Sequence, residues 1–260
     1  MRFSIITVVK DAYPQIENTV KSVLNQNFKN FEYIILDSHS NDGTSELIKK
    51  IKNKKVRYER KKDKGLYFAL NKATLKAKGQ YLINLHAGDL FYSNSTLKKL
   101  NSKIKKQISY DFFFSNIVFF KKNKVVRLWR MPQKKINRFS FLKIPHTSLC
   151  IKNKVAKKLS YDTKYKISSD INYLKDICKN YKGKYLDFYN TYMELGGLST
   201  SMNLFGLKLK EDLSILKKEF KWLFTFILLY KLLIKLPGLF KNKKKFTMKL
   251  VRLKKINNFY

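Results

Sequence analysis

The sequence predicts an α/β domain built on a mostly parallel central sheet with helices on both faces. Three observations predict it. Short apolar runs alternate with segments of helical spacing through the first hundred residues. Those runs are continuously apolar rather than alternating, the pattern of strands covered on both sides. Acidic residues also stand just beyond successive runs, where open α/β sheets bind their ligands.

In chain order, "FSIITVV" (Phe3–Val9) is the first strand. Pro14 suits a helix N-terminus, and Ile16, Val20, Val23 and Leu24 then recur on one helical face. "FEYIILD" (Phe31–Asp37) is the second strand, followed by the turn formers "SHSNDGT" and a helix near Ser45–Ile51. "VRYER" (Val56–Arg60) is the third. Leu66–Lys78 reads as a helix stopped by Gly79, and Tyr81–Leu85 as the fourth strand. Asp11, Asp37 and Asp89 then fall on one rim of the sheet. Beyond Asp111, "DFFFSNIVFF" and "KVVRLW" form a hairpin across "KKNK", and "IPHTSLCIKN" lies in a loop region. "SSDINYLKDICKNY" is a helix started by Ser169 or Asp170. "KYLDFYN" is a last strand and "ELGGLST" a glycine-rich loop.

The 260 residues are 44% hydrophobic, enough for a real core, and scarce Gly and Pro exclude a disordered or fibrous chain. Cys150 and Cys178 have no paired spacing and fit reduced core residues. The N-terminal apolar run is closed early by Lys10-Asp11 and lacks a small-residue cleavage site. It reads as a strand rather than a signal peptide, so a cytoplasmic location is expected. A formal charge of +38 favours polyanions: nucleic acid, anionic lipid or phosphorylated substrates.

After Met202 the composition becomes basic, with no acid beyond Glu219. "WLFTFILLYKLLIKLPGLF" (Trp222–Phe240) is nearly all apolar but broken by Lys231, Lys235 and Pro237, too soon for a spanning helix. An amphipathic helix in the membrane interface fits, with "KNKKK" drawn to anionic head groups. A helix packed on the domain or on a partner subunit is the alternative.

The ordered fragments "FSIITVVKDA", "VKSVLNQNFKNFEYIILDSHSNDGT", "KKDKGLYFALNKATLKAKGQYLINLHAGDLF", "PHTSLCIKN", "YKISSDINYL" and "GGLST" resemble the family 2 glycosyltransferases, the enzymes of GT-A fold. They look closest to the bacterial group that builds capsule, lipopolysaccharide or other surface glycans. The resemblance covers residues 1–201 as one domain and leaves 202–260 as a basic membrane-associating tail. It implies an inverting transfer from a nucleotide-activated sugar, with UDP expected, to a lipid-linked or glycan acceptor. The protein would sit peripherally on the cytoplasmic face of the membrane.

By the same resemblance, Thr7 and Val9 end the strand that lines the nucleotide pocket, and Asp37 hydrogen-bonds the base. Asp63, Gly65 and Asn71 match the "D-x-G…N" segment beside the nucleotide. Asp89 matches the last acid of a Mg²⁺- or Mn²⁺-binding motif, and Asp170 the catalytic base. His146, Gly197 and Ser199 match acceptor-side or closing elements. Asp42 is either a helix cap or a ligand contact. The chemistry agrees: a hard cation on a carboxylate neutralises a diphosphate leaving group, while a second carboxylate removes the acceptor's proton.

The chain departs from the family pattern at four positions. Gly88 stands where many members carry another Asp, and His86 where Asn or Asp is usual, as a structural residue or a Mn²⁺ ligand. Phe68 replaces an acid and Ser169 a Glu. Two other readings stay open: a non-catalytic relative that keeps the fold as a scaffold, and a basic nucleic-acid-binding protein. The latter lacks any helix-turn-helix, zinc or RNA-recognition signature, and no specific nucleic acid is expected as a partner.

Overall fold

The computed structural model describes residues 1–131, 136–137, 139–196 and 204–235, with side chains as far as 229. Its first half follows the strand–helix alternation: β1 (Phe3–Val9), α1 (Gln15–Leu24), β2 (Phe31–Asp37), α2 (Thr44–Lys49), β3 (Val56–Arg60), α3 (Leu66–Lys76) and β4 (Tyr81–Asn84). The second half contains β5 (Leu90–Phe91), α4 (Thr96–Ile104), β6 (Phe112–Lys121), β7 (Lys124–Trp129), β8 (Cys150–Lys152), α5 (Asn153–Ala156), α6 (Ser169–Asn180) and β9 (Gly183–Glu194). Helices α7 (Phe205–Phe220) and α8 (Phe224–Lys235) follow.

Every residue of β1 and β2 is buried, because both faces of the sheet are covered. Their side chains alternate between two cores. Phe3, Ile5 and Val9 pack with Ile16, Val20, Val23 and Leu24 of α1 and with Leu97 and Leu100 of α4. Ile6 and Val8 pack on the other face with Leu70 and Ala73 of α3 and with Leu174 and Ile177 of α6. Gly79 is needed at the turn into β4, since a Cβ there would lie 2.5 Å from the backbone of Phe3 and Ser4.

The strands run in the order β3-β2-β1-β4-β8-β6-β9-β5, with β7 on the free part of β6. The four strands β3, β2, β1 and β4 are parallel, as predicted. The other half is mixed. β8, within a segment read as loop from sequence, enters antiparallel between β4 and β6. Two reversals restore the original direction, so β6 and its parallel neighbour β9 point the same way as β4. The C-terminal ends of β1, β2, β3, β4 and β9 therefore lie on one rim.

The residues expected to form a separate tail divide in two. Helix α7 belongs to the domain: Ile215, Leu216 and Phe220 are buried, and Leu216 and Phe220 join the core beside α6. Helix α8 lays Phe224, Ile227 and Leu228 on that core while Trp222, just before it, and Phe226 and Leu229 stay exposed. Its packing on the domain matches one of the two alternatives read from the sequence. No helix among the described residues is long and apolar enough to cross a membrane. The "KNKKK" run lies outside them.

Candidate active site

The loops after β1 and β2 are stitched together at the rim. Asp11 Oδ1 accepts from the Asn41 N–H at 2.9 Å, and the Asp11 N–H donates to Ser40 Oγ at 2.8 Å. Asp42 accepts from the N–H groups of Tyr13 and Thr44 and so ties the two loops together just before α2, whose N-cap residue is Gly43. Asp37 is fully buried and turned into its own loop. Its carboxylate takes the Ser40 N–H and hydroxyl, the Ser45 hydroxyl and, at 2.8 Å, the Tyr58 hydroxyl. Burial pushes this carboxyl up, but those donors outweigh it and hold the group below the ordinary Asp value.

Several of the residues assigned to the nucleotide pocket also spend their polar atoms on the scaffold. Thr7 is fully buried, donating to the Leu85 carbonyl at 2.6 Å and sharing a hydrogen bond with Tyr33. Val9 sits in the core of the α1 face. Asn71 clamps the Tyr161 backbone in both directions, at 2.9 and 2.8 Å. Asp63 differs. Its N–H donates to Ser38 Oγ at 3.1 Å, yet its Oδ2 is buried with no partner among the described residues. Beside it, Gly65 takes φ +140° before α3, with open space where a Cβ would project.

Asp89 follows the tight turn at the end of β4, where its N–H donates to the His86 carbonyl at 3.0 Å. It is 4% exposed. The Glu194 N–H donates to its Oδ1 at 3.0 Å. Burial pushes the Asp89 carboxyl up to about 8, and the neighbouring Glu194 charge adds to the rise against the pull of that N–H. Burial also raises Glu194. Sequence reading missed Glu194, because nothing local distinguishes the last residue of a strand that pairs with β5 across a hundred positions.

These donors suit a hard cation. Magnesium or manganese takes one or two carboxylates with phosphate oxygens and water, and like charges held together favour a shared cation. Gly88, at φ +94°, has no side chain, and Glu194 Oε2 lies 2.6 Å from where its Cβ would be. Asp89 and Glu194 are the residues that would hold the ion. No group of three or more His, Cys, Asp or Glu converges among the described residues.

Asp170 stands in the first turn of α6 and reaches the same region through two imidazoles. Its Oδ2 lies 3.1 Å from His146 Nδ1, and its Oδ1 accepts from the Ile171 N–H. The His146 ring packs against His86, with centroids 5.5 Å apart. Burial and the charge that His146 would carry hold His86 down to about 3, so it stays neutral. The base candidate, His146 and the turn that ends in Asp89 thus form one contiguous arrangement. Gly197 and Ser199 lie outside the described residues.

The turn that presents Asp170 is gripped from α7. Glu211 accepts three successive backbone N–H groups, from Lys166 at 2.7 Å and from Ile167 and Ser168 at 2.9 Å. Tyr67 donates to the Ile167 carbonyl at 2.6 Å from the other side. Sequence reading also missed Glu211, which supports the turn before Asp170 from the segment set aside as tail.

Known proteins share this architecture. The chain is 17% identical to the crystal structure of S. aureus TarS 1-349, with a TM-score of 0.65 over 84% of this chain and 66% of that one. The same TarS fragment in complex with UDP-GlcNAc matches with a TM-score of 0.62, at 16% identity over 87% of this chain and 73% of that one. An uncharacterized glycosyltransferase of Rickettsia bellii is 35% identical over 120 residues, 45% of this chain but 17% of that protein's length. The Escherichia coli UDP-Glc:alpha-D-GlcNAc-diphosphoundecaprenol beta-1,3-glucosyltransferase WfaP is 27% identical over 206 residues, 78% of this chain and 80% of the relative. The profile of glycosyl transferase family 2 matches residues 4–153, more than half of the sequence, and the chain belongs to that family.

Proposed function

We propose that the protein transfers a sugar, with inversion, from a nucleotide-activated donor to a lipid-linked or glycan acceptor in surface-glycan synthesis. The observation that carries this reading is the link from Asp170 through His146 to the turn of His86 and Asp89. It supports a proton acceptor and a cation-binding carboxylate acting on one substrate, as a direct displacement requires. Family membership supports the reaction class. A TarS fragment in complex with UDP-GlcNAc and WfaP, named for UDP-Glc and a diphosphoundecaprenol acceptor, support a UDP-sugar and a lipid-linked acceptor.

In this reading Asp170 accepts the proton of the acceptor hydroxyl. His146 holds the Asp170 carboxylate in place through Nδ1, which in a neutral ring leaves Nε2 free to accept a hydrogen bond from the acceptor. Magnesium or manganese, when bound, neutralises charge on the departing diphosphate. Asp89 would hold that ion, and the surrounding excess of Lys and Arg draws in an anionic donor.

On the nucleoside side, Asp63 carries the unpartnered carboxylate oxygen, so it accepts from a base or ribose donor. Asp37, Thr7 and Asn71 act by shaping the loops behind it, Val9 by packing beneath them, and Gly65 by leaving the chain close approach to the nucleotide. Gly197 and Ser199 would close the acceptor side. The exposed Trp222, Phe226 and Leu229 lie against the lipid surface, with the basic residues after 240 on anionic head groups. In this reading the protein sits peripherally on the cytoplasmic face of the membrane.

A donor screen tests the reaction. Purified protein with Mg²⁺ or Mn²⁺ releases nucleotide from one nucleotide sugar in the presence of a glycosylated lipid diphosphate. Release from no donor across UDP-, GDP- and dTDP-sugars, by folded protein, would contradict the proposal.

A further inference from the structure

We infer that Glu194, at the end of β9, supplies the second carboxylate of the divalent-cation site, in the space an acid at position 88 would occupy. This deepens the transferase reading and rests on it. Strand β5 follows Asp89 directly and pairs antiparallel with β9, Leu90 facing Tyr192. Continuing that register sets Gly88 opposite Glu194. The Glu194 N–H, donating to the Asp89 carboxylate, holds the two strands together at that point. A Cβ on Gly88 would meet Glu194 Oε2 at 2.6 Å, a distance that real Cβ contacts do not show. The Glu194 carboxylate therefore takes the place of a side chain at 88.

The charge pattern makes the same point independently. The chain has 56 Lys and Arg against 18 Asp and Glu, and most acids near the rim have protein donors. Among the described residues, neither Asp89 nor Glu194 forms an ion pair, and the Glu194 carboxylate accepts no hydrogen bond. Asp89 is almost wholly buried in that state. Two adjacent, partly or fully buried carboxylates left unpaired in so basic a protein are placed for a small multivalent cation.

The test is Mn²⁺ binding by the full chain with UDP present, read from the loss of the free-ion electron paramagnetic resonance signal. Glu194→Gln keeps the shape and removes the charge. We expect its Mn²⁺ affinity to fall at least tenfold, while metal-free unfolding temperature holds or rises as like-charge repulsion is relieved. Glu194→Asp, which keeps the charge on a shorter arm, should fall between the two, and it serves as the variant of record if the Gln form unfolds. Mn²⁺ affinity of Glu194→Gln within twofold of wild type would overturn the inference, as would wild type that takes up no Mn²⁺. A wild type that binds Mn²⁺ through Glu194 but transfers from no donor would leave this inference standing and remove the transferase reading instead.

Discussion

The two halves of the sheet divide the labour differently. In the parallel half, β3-β2-β1-β4, the polar residues at the rim are largely consumed by the fold: Thr7 on Leu85 and Asp37 on its own loop, with Asn71 of α3 holding Tyr161. In the mixed half, Asp170 meets His146, which packs on His86, and Glu194 meets Asp89, so groups from distant stretches of chain reach the turn 86–89 separately. The parallel half is a rigid platform with Asp89, buried and without an ion pair among the described residues, at its edge. The mixed half brings the remaining chemistry to that edge. Changes in the first should therefore register as stability, and changes in the second as turnover.

The largest effect is expected at the seam between them. Asp89→Asn should abolish detectable transfer and weaken metal-dependent donor binding by at least tenfold, measured by calorimetry with and without Mn²⁺. It should also change the pH profile of the metal-free protein. The folded-state Asp89 value is raised from 3.8 to about 8. Its contribution is most favourable below 3.8 and is lost as pH rises through about 8. Metal-free Asp89→Asn should accordingly gain on wild type in thermal stability between pH 5 and 8. A constant gap across that range would show that Asp89 is not desolvated as described.

Next comes Glu211. Glu211→Ala leaves three backbone N–H groups without their acceptor, and each unsatisfied buried donor costs about 1–3 kcal/mol. We expect destabilisation of about 3 kcal/mol or more by denaturant unfolding. Turnover of the protein that remains folded should fall with donor affinity kept, because the turn bearing Asp170 loosens while the donor side does not. Equal loss of both would mean that α7 supports the platform as a whole.

His146→Asn should lower kcat by about tenfold, since it removes the imidazole that holds Asp170 and leaves the carboxylate in place. A larger loss, matching removal of Asp170 itself, would make the imidazole the proton acceptor. The smallest effect is expected in the platform. Thr7→Val removes the bonds to Leu85 and Tyr33 and should cost about 2 kcal/mol of stability, at about 1 kcal/mol for each, and leave donor affinity unchanged. Tenfold weaker donor binding would return Thr7 to the nucleotide pocket.

What could be read in the sequence follows the same division. β1, β2, β3, α1 and α3 were legible because local periodicity alone specifies them, and β3 matched residue for residue. β8 was not: three residues of strand inside "IPHTSLCIKN" gain their identity only from β4 and β6 on either side. β9 runs to Glu194, past the predicted end at Asn190, because β6 and β5 supply partners there. Asp89 and Asp170 stood out by pattern, whereas Glu194 and Glu211 act through register and tertiary contact, which no local spacing encodes. The boundary at residue 202 followed composition, yet α7 buries its acids Glu211 and Asp212 along with its apolar face.

The central claim is that Asp170 takes the acceptor's proton beside a cation held at Asp89. Steady-state transfer by Asp170→Asn, measured together with its donor dissociation constant, tests it most directly. The account predicts a kcat at least a hundredfold lower with donor affinity within twofold of wild type. A turnover near that of wild type, or a loss that appears only in donor binding, would contradict it.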